Sequence, residues 1–495
     1  MKKIYPLLGA VLFAVLPLAA DDFSFDDLMS GDVSTDSGSG DDFDFGSDFG
    51  FGDTGSSASA LSISGDAELS LREIAGDDNW DDLLEGSEWD WSPSLTLDLL
   101  YTTDKADFTA NLNVNEDDLS DDLFNELAIT WYEDKFTLAA GYQEVVWGKG
   151  DKVHVVDMLN PMDYTDFLNA DYLDRKIAQP MLKVNIPHSR NGQLELVYVP
   201  FFEGDSYAYE GTWATSDAVA LMSTLETAVK NSAYAEYNAA SAYGDEYATA
   251  AMISYLSGHD EADELLPDTD SLKYGQAAIR GTASLGAVDL GAMYWFGYNR
   301  QPTVYYTGSD LEYYYGTYGY DDFDIDYDQL QVFGLEAGAV AAGFNLRAEA
   351  AYYMTEDYDG SDEDIINPSF EYVIGFDRNL PVSNLNLNLQ ANGSYTLFYD
   401  EIESAYDVEY GDDETFTLII CKLSDTWNHE KVKPEVTMIY CAEDQSGQIS
   451  PAVAMDVDGN LSFEAKVTMF WGDDDSFFGY FDDNDFLELN AMFSF

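Results

Sequence analysis

Along most of this chain apolar residues recur at every second position, in runs of about ten, which is the period of an extended strand with one apolar face. Leu61, Ile63, Ala67, Leu69 and Leu71 alternate with Ser62, Ser64, Asp66, Glu68, Ser70 and Arg72. Phe344, Leu346, Ala348, Ala350 and Tyr352 repeat the pattern, as do Leu385, Leu387, Leu389, Ala391 and Tyr395. A fourth example is Phe463, Ala465, Val467, Met469 and Trp471. Strands of soluble sandwiches are usually shorter, about five or six residues. Segments of about ten residues with one apolar face instead fit strands that cross a bilayer around a wet interior.

Counting such segments gives eighteen, and the connections between them alternate in length. Brief ones fall near 103–106, 133–135, 187–192, 285–288, 340–343, 379–383 and 458–460. Longer ones fall at 73–92, 146–179, 201–272, 300–327, 356–366, 399–413 and 472–484. The expectation is an all-β, transmembrane, antiparallel up-and-down barrel over 58–495, with short turns and both termini in the periplasm and long loops outside. The connections 116–122, 424–432 and 443–448 break the length pattern, so sixteen strands is the alternative. Within 201–272, residues 216–256 are rich in Ala, Met, Leu and Tyr, and Leu221, Met222, Leu225 and Val229 keep helical spacing. They are read as a helical hairpin on the outer side, either a cap over the loops or a plug in the pore.

The two ends of the chain agree with export. Lys2 and Lys3 precede an apolar run over 4–18, and Ala19 and Ala20 precede Asp21, as in a cleaved signal peptide over 1–20. That apolar run is too short for a spanning helix, which needs about 20 residues. Residues 21–57 are Asp, Gly and Ser with paired phenylalanines, and are expected to be a disordered acidic periplasmic arm. At the other end Leu487, Leu489, Ala491, Phe493 and Phe495 form one apolar face running to the last residue. This resembles the terminal strand by which outer-membrane barrels are recognised by their assembly machinery. Outer-membrane lipids and that machinery are the implied partners.

Charge narrows the functions open to such a chain. It carries 95 acidic against 21 basic side chains, a formal net charge of -74. Nothing on that scale could neutralise phosphates, which excludes nucleic acid. With 46% hydrophobic and 15% aromatic residues, the acidity does not mean a disordered chain. Catalysis is not expected, because His154, His188, His259 and His429 fall in no nucleophile or metal-ligand spacing.

If apolar faces meet lipid, alternation assigns the inner wall. The lumen then receives Asp66, Glu68, Asp98, Glu126, Glu195, Asp289, Glu336, Glu349, Glu371, Glu435, Asp456, Glu464 and Glu488. It also receives Arg72, Lys183, Arg280, Arg347, Lys433 and Lys466. Thirteen acids against six bases favour cations in a water-filled channel. Arg347 and Glu349, Lys433 and Glu435, and Glu464 and Lys466 lie two apart on one strand, so a salt-bridged wall is expected.

The segment Gly141-Tyr-Gln-Glu-Val-Val-Trp-Gly-Lys-Gly-Asp-Lys152, then Asp157-Met-Leu-Asn-Pro-Met-Asp163, leaves a strand through a Gly-punctuated turn. It resembles a poorly characterised family of large Gram-negative outer-membrane β-barrels, grouped with porin-like and export channels. The resemblance implies an outer-membrane channel and carries no particular solute; the polar lumen adds the expectation of small hydrophilic solutes, cationic or neutral. A loop of this length between adjacent strands can fold inward, where Trp147, Lys149, Asp151, Lys152, His154 and Asp157 would narrow the pore. The plainer alternative keeps Trp147 in the interfacial aromatic girdle, with the loop on the wall.

No cofactor is expected. The acidic runs 357–364 and 473–485 invite calcium, but Pro368 stands where an EF-hand needs its glutamate, and solvated loops are the expectation. A hairpin centred near Lys431 would place Cys421 opposite Cys441 and permit a disulfide on the lumen side. A centre nearer Asn428 would separate them.

Overall fold

Alternation along the chain becomes a ring of paired strands. The computed structural model describes residues 60–75, 89–115, 123–166, 175–189, 191–240, 266–309, 315–404 and 407–495. The expected signal segment, the acidic arm and the second half of the helical hairpin lie outside the described residues.

In chain order the first strands are β1 (Ala60–Ile74), β2 (Asp90–Thr102), β3 (Ala106–Val114), β4 (Phe124–Glu133) and β5 (Phe136–Gln143). The two-residue β6 (Asp163–Tyr164) lies in the next connection, before β7 (Gln179–Ser189) and β8 (Gly192–Val199). Another long connection holds β9 (Ser206–Tyr207) and the helix α1 (Ser216–Ala240). Then come β10 (Gln276–Leu285), β11 (Val288–Tyr298) and the short loop hairpin β12 (Thr303–Tyr306) and β13 (Phe323–Asp326). The wall continues through β14 (Gln329–Ala341), β15 (Phe344–Met354), β16 (Ser369–Asn379) and β17 (Asn386–Thr396). It ends with β18 (Thr415–Ser424), β19 (Val432–Cys441), β20 (Gly447–Asp456), β21 (Leu461–Trp471) and β22 (Phe486–Ser494).

Eighteen of these form one antiparallel sheet in which each strand pairs with the next in the wall, and β22 pairs with β1 to close it. Closure removes the edges that an open sheet would expose. The sixteen-strand alternative falls away, because 424–432 and 443–448 both join directly paired strands. At the seam Phe495 and Gly65 exchange two backbone hydrogen bonds of 2.9 and 3.0 Å. The outward face there carries Leu487, Leu489, Phe493 and Phe495, so the terminal strand completes the barrel to its last residue.

The outward faces form an apolar band, with Leu335 63%, Ile374 60% and Leu346 42% exposed. Aromatic rows bound it. Toward the long connections Tyr294, Phe333, Tyr352 and Phe370 follow one another at centroid distances of 4.9, 6.5 and 5.1 Å. Toward the short turns Phe344 meets Phe376 at 5.5 Å and Tyr101 meets Phe108 at 6.0 Å. Phe344 and Tyr352 lie about 26 Å apart along their strand, or about 20 Å along the axis at a tilt of about 40°.

The disulfide expectation is corrected. Leu418 opposes Cys441 and Cys421 opposes Met438, so the hairpin centres between His429 and Glu430. The cysteines are three positions out of step and point to opposite faces, and both are free thiols. Cys441 is buried inside the barrel near Phe470 and Phe478, whereas Cys421 takes the outward face with exposed Ile419 and Leu423.

Candidate functional site

The connection between β5 and β7 folds into the barrel. Its apolar residues Val145, Trp147, Val155, Val156, Met158 and Leu159 pack against the inner faces of β7, β8, β10, β11 and β14–β16. Those faces offer Met181, Val197, Ala278, Met293, Trp295, Val332, Ala351 and Val373, an apolar inner patch that fits this segment. Burial of such side chains gains about 1.5–3 kcal/mol each, so the connection is seated by its own hydrophobicity.

Polar groups fix its path. Glu349 of β15, whose side chain is fully buried, accepts from Lys149 N and Gly150 N, both at 2.5 Å, through Oε1, and from Val155 N at 2.9 Å through Oε2. His154 Nδ1 lies 2.9 Å from the same Oε1. Gly148 must be glycine here: its φ is +128°, and a Cβ would collide with His154 Nδ1 and Glu349 Oε1. Further round the wall Gln390 Oε1 accepts from Asp151 N at 3.0 Å, and Gln390 Nε2 donates to Asp151 O at 2.8 Å. Asn388 Nδ2 donates to the Asp151 carboxylate, which also lies 3.7 Å from Arg347 Nη1.

The six residues expected at a constriction divide into two sets. Lys149, Asp151 and Lys152 stand at the turn, with Lys152 exposed and in the left-handed region at φ 61°. Trp147 is fully buried and donates Nε1–H to Glu195 Oε2 at 3.3 Å, so it belongs to the barrel interior and not to the outer girdle. His154 is spent on Glu349. Asp157 is paired with Lys176 at 2.6 Å, both side chains 1% exposed, and does not line the lumen. The two limbs of the turn meet at Glu349, a return that the linear order of the residues does not reveal.

Register places Glu68, Arg72, Lys183, Arg280, Arg347, Glu349, Lys433, Glu435, Glu464 and Lys466 on the inner face. It adds Asp107, Asp377 and Lys422, which the alternation reading had not named. Among the described residues, ion pairs join neighbouring strands of the wall. Arg347 bonds Asp377 at 2.9 Å, Lys422 bonds Glu435 at 2.9 Å, and Lys433 bonds Asp456 at 3.4 Å. Each of these three pairs is diagonal, two positions from direct opposition, a separation that long basic side chains bridge. Lys466 sits directly opposite Glu488 in register.

Two sides of the lumen therefore differ. On β15–β21 the basic groups Arg347, Lys422, Lys433 and Lys466 stand beside acids. On β1–β4 the inner face bears Asp66, Glu68, Asp98, Asp107 and Glu126, with Arg72 at one end. Asp98 accepts from Asn111 Nδ2 at 2.6 Å and Asp107 from Tyr132 Oη at 2.7 Å, so neutral donors hold two of these carboxylates.

Two of the long connections are tied to one another. Glu409 Oε2 accepts from Asn367 N at 2.6 Å, and Val408 N donates to Glu363 O at 3.0 Å, clasping 397–414 to 355–368. Burial pushes the Glu409 carboxyl up to about 7, with Asp407, Asp412 and Asp357 adding to the rise against the Asn367 N–H. An ordinary glutamate titrates near about 4.3, so the clasped form holds a proton that opened loops release. The clasp is fully favoured below about 4.3 and is lost as pH rises through about 7. Hydrogen exchange at the Asn367 amide, corrected for intrinsic rate, should accelerate between pH 5.5 and 8.5, and Glu409→Gln should flatten that dependence. An unchanged protection factor in the unaltered protein would refute the clasp's pH dependence.

Among the described residues no three His, Cys, Asp or Glu side chains come together to hold a metal ion. In the 357–364 run the Asp357 carboxylate is turned inward, accepting from Gly360 N at 3.0 Å and Asp362 N at 3.1 Å.

No family model and no curated protein matches this chain. Solved structures do, at low identity. The outer-membrane channel DcaP of Acinetobacter baumannii is 9% identical, over 88% of this chain and 97% of that one, with a TM-score of 0.40. OccK5 (OpdH) of Pseudomonas aeruginosa is 8% identical over 88% and 97%, with a TM-score of 0.44. OmpF of Salmonella typhi, solved with daunomycin, is 7% identical over 88% and 97%, with a TM-score of 0.38. Below a TM-score of 0.5 such likenesses carry no weight for function, which has to come from the barrel's own geometry.

Proposed function

We propose that this chain is an outer-membrane channel through which small hydrophilic solutes, cationic or neutral, diffuse. The observation that carries the reading is the inside-out barrel. An apolar band with aromatic rims faces outward, while charged and amide side chains line an interior that one connection enters and narrows. Eighteen strands are enough for an aqueous path around such a connection. The short turns and both termini are assigned to the periplasm, and the long connections to the outside.

The acidic wall on β1–β4 supports a preference for cations. Reconstituted in a planar bilayer under a tenfold salt gradient, the channel should give a reversal potential of the cation-selective sign. A reversal potential of the opposite sign would overturn the preference. A folded, heat-modifiable barrel that never conducts would favour the second reading, a surface binding protein anchored by its barrel. The large outer insertion containing α1 is the feature that speaks for that reading.

A further inference from the structure

The insertion after β8 crosses the barrel mouth and comes back. Its first limb lies on the inward connection: β9 pairs in parallel with β6, Tyr207 stacks on Tyr164 at 5.4 Å, and Asp205 Oδ1 accepts from Met162 N at 2.8 Å. It then reaches the wall close to opposite its origin. There Trp213 is 9% exposed among Phe470 of β21, Phe486 of β22 and Phe481, with ring centroids 6.2, 5.6 and 6.1 Å away. Asn484 Nδ2 donates to Thr212 O at 3.0 Å beside it.

From that point α1 returns. Asn231 Nδ2 donates to Gly316 O and Tyr318 O, and Ser232 Oγ accepts from Tyr320 N at 3.0 Å, in the connection between β11 and β14. A ring of this strand number is about 36 Å across at a spacing of about 4.8 Å and a tilt of about 40°. At about 1.5 Å per residue α1 rises about 24 Å from Ser216 to its contacts at Asn231 and Ser232, about two-thirds of that span.

Beneath Trp213 lies Arg72 of β1, its guanidinium 5.9 Å from the indole ring. The same group bonds Glu488 of β22 at 3.0 Å and Asp166 of the inward connection at 2.8 Å. One side chain thus holds the far ends of both layers that cross the lumen.

We propose that residues 200–235 form a strap over the channel mouth, hooked to the far wall by Trp213 above Arg72, and that unhooking it widens the path. This rests on the channel reading above. Arg72 acts as a positioning residue: it holds the lower layer through Asp166 and seats the upper layer through Trp213, so both loosen together. The hook is one buried ring and a few hydrogen bonds, a strength that thermal motion can overcome.

The test uses the full barrel with Cys421→Ala and Cys441→Ala, so that introduced thiols report alone. Trp213→Ala should raise the rate at which Ala214→Cys, at a position 4% exposed in the hooked strap, reacts with a bulky maleimide by about tenfold, the effect of losing one buried aromatic anchor. It should also raise single-channel conductance. A disulfide between Thr212→Cys and Asn484→Cys should hold conductance at a fixed low level that reductant reverses. Should Arg72→Ala fail to fold, Arg72→Lys keeps the charge while losing the planar group under the indole, and should show the same changes in smaller degree.

Unchanged labelling in Trp213→Ala would overturn the hook. Faster labelling in a conducting barrel whose conductance stays the same would overturn the strap's control of the path. If the unaltered, cross-linked and Trp213→Ala barrels are all folded and none conducts, the channel reading fails and the proposal with it.

Discussion

Glu349→Ala is expected to release the inward connection and roughly double single-channel conductance, because the polar turn would no longer be held across the lumen. Three backbone N–H groups and the His154 ring converge on this one buried carboxylate. Removing it leaves donors without acceptors, at about 1–3 kcal/mol for each that stays buried. The turn can escape that cost by moving into the aqueous lumen, so the change appears as mobility of 144–160. The strands should be spared, since these bonds join a connection to the wall and not one strand to another. Glu349→Gln keeps one acceptor oxygen but turns an amide N–H₂ toward other donors, and should fall between. Conductance and open-channel noise in a planar bilayer read the result. A conductance identical to that of the unaltered barrel, with the segment shown by limited proteolysis to be loose, would mean that this connection does not set the width.

The second large effect is on stability. Arg280→Met should destabilise the folded barrel by about 3–5 kcal/mol, the cost of leaving buried charges without their partner. Arg280 bonds Glu195 at 3.1 Å and Glu336 at 2.7 Å, and lies 5.7 Å from the Trp147 ring. Both carboxylates are buried, 6% and 5% exposed, so water cannot replace the guanidinium. The unfolding midpoint in urea should fall, and the loss should be partly restored by adding Glu195→Gln and Glu336→Gln. Restoration would identify the unpaired charges, rather than lost packing, as the cause. An Arg280→Met barrel with an unchanged midpoint would show that the three groups contribute no net stability.

Much of this architecture is legible in the residues themselves. Leu61, Ile63 and Leu69 announce an outward face, and Asp66, Glu68 and Arg72 between them announce the inward one, because neighbouring side chains on a strand point to opposite sides. Gly148 and Gly150 mark a tight turn, and Lys149 between them with Asp151 and Lys152 just after are the groups the turn presents. Other readings needed distances that no short window contains. Cys421 and Cys441 looked alignable until the hairpin centre was known. His154 invited a role in the pore, whereas Glu349, 195 positions away, holds it. Trp213 carried no pattern at all: it is one tryptophan in a long loop, and its socket of Phe470, Phe481 and Phe486 lies at the other end of the chain.

The sequence by itself determined that the chain forms long alternating strands, which side chains face in and which face out, and that one end of the wall bears longer loops. These follow from a period of two and from turn chemistry, both of which act over a few residues. Only the tertiary structure decided the register, the pairing of charges between strands, and the paths of the two connections that cross the lumen. Those depend on ring closure, which brings Arg72, Asp166, Trp213 and Glu488 to one place although they are spread over most of the chain. Opposite charges and complementary apolar faces are abundant in this sequence, and closure of the barrel selects which of them meet.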